Sequence, residues 1–179
     1  MVQHRVRPAP AWKPLALAAG FGLTMLVATD LRADEDSHRC QFFQGPFASN
    51  LVPPPTCTSP IGLCTHGQLG GQFPAQYDFT FSTLQSAGDP SDPTEFVYTG
   101  HSTVTTTHGV MHTDDSGVIH IPATGLAPFV TTASIAEGTD RYAGASGVFV
   151  ATGKLDFATG AAQGSFIAQI CKQPPGDAS

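Results

Sequence analysis

The stretch that most constrains this chain is its C-terminal third, Gly138 to Ile170. In Val148–Phe157 the odd positions are Phe149, Ala151, Gly153, Leu155 and Phe157, and the even ones include Thr152, Lys154 and Asp156. Alternation with period two gives a strand one apolar and one wet face. Ala158-Thr159-Gly160 reads as a three-residue hairpin loop closed by a left-handed glycine. The return strand sets Phe166, Ala168 and Ile170 on one face. A chain ending in such a hairpin buries one face of a sheet, which requires either a second layer or closure of the sheet on itself.

The start reads differently. Arg5, Arg7 and Lys13 precede a mostly apolar run from Pro14 to Ala28, and Leu31-Arg32-Ala33 ends on a small residue. Basic, apolar, small-residue is the order of a secretory signal. The run is shorter than the roughly 20 residues of a membrane span, and an uncleaved anchor is the alternative. Cleavage is expected after Ala33, or after Ala28. From Asp34 onward there are four basic and thirteen acidic residues, a net charge of −9 with histidine neutral. Such a surface repels phosphate backbones and anionic lipid, so neither nucleic acid nor an anionic membrane surface is an expected partner.

All four cysteines, Cys40, Cys57, Cys64 and Cys171, follow the leader. An even number in an exported chain reads as two disulfides, with three pairings open. If the first and last strands adjoin in a closed barrel, and the first begins at Cys64, then Cys64 meets Cys171 and Cys40 is left with Cys57. The spacing between Cys57 and Cys64 is too wide for a zinc knuckle.

Residues 34–64 carry Pro53-Pro54-Pro55 and three phenylalanines, Phe42, Phe43 and Phe47, and read as an irregular arm docked on the sheet. From Thr65 the pattern is β. Tyr77, Phe79 and Phe81 alternate with Asp78, Thr80 and Ser82. Gly88 to Pro93 is a loop, and Glu95 to Thr107 is β-branched and threonine-rich. His108-Gly109 is placed as a two-residue turn, and Val110–Asp115 and Gly117–Ile121 as separate strands. Phe129 to Glu137 leads into Gly138. No helical repeat is evident after the leader, so the chain reads as all-β.

The stretch Gly138-Thr139-Asp140-Arg141-Tyr142-Ala143-Gly144-Ala145-Ser146-Gly147 is followed by a strand, a Thr-Gly turn and a glycine-containing last strand. This order resembles the allene oxide cyclase barrel-like family of small secreted bacterial proteins, in which a G-T-G-R-F-A-G-A-T-G stretch often stands here. The threonine-rich hairpin Ser102–Val110 and the opening Cys64-Thr65-His66-Gly67 are similar too. The likeness covers roughly 65–170. It implies a closed antiparallel barrel of about eight strands, related in shape to lipocalins and dirigent proteins, and cyclase or isomerase chemistry if the protein is an enzyme. Related barrels often form dimers or trimers. None of the family's catalytic residues is carried over to this chain.

The expected organisation is a signal peptide over 1–33, an irregular arm over 34–64, a β-barrel over 65–172 and a tail over 173–179. With the turn at His108-Gly109, Thr105 falls opposite His112 and Thr103 opposite Asp114. His101, Thr103, Thr105, His112 and Asp114 then share one face. Facing out, it is a wet surface. Facing in, His112 and Asp114, with His101, line a polar pocket in which a carboxylate orients a histidine as general base. No metal site is expected: His108 and His112 straddle a turn, H-E-x-x-H is absent, and Asp89, Asp92 and Glu95 lack the EF-hand pattern. Ser146 lacks the G-x-S-x-G setting, and no phosphate-loop or dinucleotide fingerprint is present, so no cofactor is expected. Phe79, Phe81, Phe149, Phe157 and Phe166 point to an apolar interior, with Ala151 and Gly153 leaving room. The expected function is an exported or periplasmic barrel enclosing a small apolar molecule. The alternative is a non-catalytic barrel that meets another protein through its outer surface. A cavity of a few hundred Å3 separates the two.

Overall fold

The computed structural model describes residues 39–172 apart from 89 and 124. The expected leader (1–33) and tail (173–179), and Asp89 of the calcium candidates, lie outside the described residues. Eight strands follow in chain order: β1 (Arg39–Leu51), β2 (Cys64–Leu69), β3 (Ala75–Ser86), β4 (Glu95–Thr106), β5 (Gly109–His120), β6 (Leu126–Gly138), β7 (Ser146–Asp156) and β8 (Ala161–Lys172). Each pairs antiparallel with the next, and β1 pairs with β8, closing the barrel. Closure leaves the sheet without an edge strand. No described helix is long and apolar enough to cross a membrane.

The barrel does not begin at Thr65. Residues 39–51 of the expected arm are its first strand, registered on β8 from Arg39 opposite Lys172 to Asn50 opposite Ala161. Pro46 is tolerated because β2 pairs with β1 only from Phe47 onward. The Pro46 carbonyl accepts from Gly70 N just past the end of β2. Its nitrogen points the same way, where no ladder bond is demanded. Among the described residues of the expected arm, the irregular part is 52–63, with the three prolines. The expected disulfides are therefore exchanged. Cys40 lies directly opposite Cys171 across the β1–β8 seam and bonds to it, while Cys57 bonds Cys64 at the entrance to β2. First and last strands do adjoin, but the first begins before Cys40.

Two local expectations shift as well. Val110–Asp115 and the second expected strand from Gly117 run on as one strand, β5, which ends at His120, and Gly117 lies within it. The β4–β5 turn is Thr107-His108, with Thr106 opposite Gly109, so Thr103 faces His112 and His101 faces Asp114. The β7–β8 loop has four residues, Phe157 to Gly160, with Gly160 left-handed at φ 74°.

Inward-facing residues form two apolar clusters. One gathers Phe73, Met111, Tyr142, Phe149, Ala168 and Ile170. Tyr142, on the 3-10 turn Asp140–Tyr142, packs its ring against Phe73 at 6.4 Å and plugs that end. The other gathers Phe79, Phe81, Tyr98, Ile119, Leu155 and Ala162. Several rings occupy space left by glycines. Gly153 and Gly164 face each other across β7–β8, and a Cβ on either would meet the Phe47 ring at 2.7 Å. A Cβ on Gly100 would meet Phe79, and one on Gly117 would meet Tyr98. Gly153 therefore leaves no room for a ligand: Phe47 and Phe129 fill it. Phe157 lies in the β7–β8 loop and is exposed, because β7 ends at Asp156. Gly164→Val should destabilise the barrel by about 2 kcal/mol through overpacking against the Thr152 and Gly153 backbone and the Phe47 ring. A urea midpoint unchanged from wild type would contradict this packing.

Candidate functional site

Between the two clusters lies an internal cavity of about 110 Å3. Phe79, Phe81, Phe149, Ala151 and Phe166 all line it, as strand parity requires. So do polar groups on neighbouring strands: Ser49 on β1, Thr65 on β2, Tyr77 on β3, Tyr98 and Ser102 on β4, Thr113 and Asp115 on β5, and Thr131 on β6. Met111 and Ile119 fix the inner face of β5, and period two puts Thr113 and Asp115 on the same side.

Asp115 is the charged group of this interior, 6% exposed. The Ser102 hydroxyl donates to its Oδ2, and the Thr113 hydroxyl donates to Oδ1 at 2.5 Å. Burial pushes the carboxyl up to about 6. The two hydroxyls and the nearby His101 oppose that rise, and Asp114 adds to it. Tyr98 shares a hydrogen bond with Thr131 Oγ1, and burial raises its phenol to about 12, with Asp115 a smaller contribution in the same sense. Burial also raises Tyr77. Both tyrosines thus stay neutral donors through the physiological range. The one ionisable carboxyl of the lining thus carries two hydroxyl donors, and the neutral phenol of Tyr98 lies near enough to feel its charge.

His101, His112 and Asp114 share a face, but it is the outer one. Burial alternates along β4 and β5 with Ser102, Val104, Met111 and Thr113 inside, so the even residues of β5 and the odd residues of β4 face solvent. The His101 and Asp114 side chains are 67% and 72% exposed and lie 3.1 Å apart. His112 Nδ1 sits 3.2 Å from Thr103 Oγ1. These residues do not line the pocket proposed for them. His66 and Asp78, on β2 and β3, make a further exposed pair at 2.7 Å. Among the described residues, no group of three or more His, Cys, Asp or Glu is placed to hold a metal ion.

Asp115, one residue from Asp114, has the opposite parity on β5 to His112 and His120, the side chains that most suggest chemistry in this part of the sequence. The signal for Asp115 was the pair Met111 and Ile119, eight residues apart and both apolar.

Compared with family models, with curated proteins and with solved structures, the chain finds no match in any of the three.

Proposed function

We propose that the chain is an exported barrel that encloses one small, mostly apolar molecule, held by the aromatic walls and oriented by the cluster at Asp115. The supporting observation is an apolar cavity with a buried carboxylate in its wall that accepts from Ser102 and Thr113, and a few placed polar groups in an aromatic lining are the usual composition of a ligand site. Two disulfides suit an oxidising compartment. The void is near the size of an engineered cavity of about 150 Å3 that takes up benzene, so the ligand is about one ring in size. A long acyl chain would need the walls to move. If the molecule also catalyses, as the resemblance to allene oxide cyclase barrel-like proteins suggests, confinement and the Asp115 carboxyl are its means, the latter as proton acceptor or donor.

The experiment is a thermal unfolding series with toluene. Saturating toluene should raise the midpoint of the wild-type barrel, because it binds the folded state alone. It should leave Ala151→Leu unmoved, since the added carbons occupy the void. No shift in wild type would sink the enclosure reading.

A second reading has one observation in its favour: the cavity falls below the few hundred Å3 usual for ligand pockets. On that reading the barrel is a structural or interaction module, and the same experiment with no toluene effect supports it.

A further inference from the structure

The Asp115 carboxylate has no cationic side chain beside it among the described residues that line the cavity. Each Asp115 oxygen accepts one hydroxyl hydrogen bond, and a carboxylate offers about four acceptor positions, so half remain open. None of the residues lining the cavity is Lys, Arg or His. A buried carboxylate without a counter-charge is costly, and a cation placed against it removes that cost. The walls beside it suit a cation as well. Gly100 stands directly opposite Asp115 and Phe79 directly opposite Ser102, and the Phe79 ring covers Gly100. Phe81 and Tyr98 pack at a tilt around Phe79, with ring centroids 4.4 Å and 6.1 Å from it. Aromatic faces attract ammonium groups through their quadrupoles.

We infer that the cavity selects a small primary amine of about one ring, its ammonium paired with Asp115 between Ser102, Thr113 and the Phe79 ring, and its apolar body in the remaining void. This rests on the enclosure reading and narrows it to one ligand class. A neutral alcohol of the same size can donate one hydrogen bond to Asp115 but brings no charge. Titratable groups on two strands act on Asp115. From β4 these are Tyr98 and the outward His101, and from β5 the outward Asp114. The residue opposite on β6 is Ala133, which carries no charge.

The test compares toluene, benzyl alcohol and benzylamine on the intact disulfide-bonded protein by calorimetry. At pH 7.5, benzylamine should bind roughly 10- to 100-fold more tightly than either neutral compound, the range expected of a charge-assisted hydrogen bond. Asp115→Asn should abolish that preference and leave toluene affinity within about threefold, a change too small to count as a lost interaction. A second arm needs no variant: between pH 7.5 and pH 5 the carboxyl takes up a proton while the amine stays charged, so benzylamine should weaken and toluene should not. Toluene binding with no amine preference, or an amine preference that survives both Asp115→Asn and pH 5, would overturn the amine assignment and leave enclosure standing. Failure of toluene itself to bind would overturn the enclosure reading beneath it.

Discussion

Serine at both positions 40 and 171 should lower the unfolding free energy of the barrel by about 5 kcal/mol, the chain-entropy value for a cross-link spanning 131 residues. Serine at 57 and 64 should lower it by only about half as much, since that bridge spans seven. The difference follows from what each bridge joins. Cys40–Cys171 ties the first strand to the last and holds the seam that closes the barrel. Without it, β1 must find β8 across nearly the whole chain, a pairing with a large loop-closure cost and a slow approach. Domains of this size have about 5–15 kcal/mol of stability in all, so the seam variant should be marginal at 37 °C. Guanidinium unfolding of both double variants reads the ratio directly. Equal losses, or a larger loss for the 57–64 pair, would mean that the seam is held by its ladder alone.

That bridge also shows where the sequence was readable. The alternation in β3, β7 and β8 is clean because their inner faces carry the buried Phe79, Phe81, Phe149, Leu155, Phe166, Ala168 and Ile170, and the all-β assignment rested on it. β1 was hidden because Pro46 and the Pro53–Pro55 run give its neighbourhood the composition of a coil. Proline's effect depends on which side of the strand is paired, and local sequence does not carry that information. β5 was divided in two because Gly117 resembles a break. In the structure, it is the seat of the Tyr98 ring, a long-range fact. The five apolar cavity residues were found by parity alone, and Asp115 could have been found by the same rule. The size of the void could not: it is the balance left after rings such as Phe47 have filled the space over Gly153 and Gly164.

Asp115→Asn should make the empty barrel more stable at neutral pH, and progressively less so towards acid. The native carboxyl titrates at about 6, while an unfolded aspartate titrates near its model value of 3.8. Between those values the native state holds a proton that the unfolded state has released, so wild-type stability falls as pH rises through this window and is level above it. The loss is about 3 kcal/mol by pH 7, or about 10 °C in midpoint for a barrel of this length. Asparagine has the same shape, can still accept from one hydroxyl, and does not titrate. The difference between variant and wild type should therefore be small at pH 4 and full at pH 7.5. Asp156, lowered by hydrogen bonds from Ala158 N and Thr159, acts in the opposite sense, losing its contribution as pH falls. It is common to both proteins and cancels in the difference. Parallel pH profiles for the two would show that Asp115 carries no strain. A diverging pair would identify a side chain that weakens the empty fold at the wall of its cavity, where none of the lining residues is Lys, Arg or His. Local departures of this kind from what stability favours are characteristic of functional sites. Benzylamine should then recover at pH 7.5, in wild type alone, part of the stability that asparagine supplies by substitution.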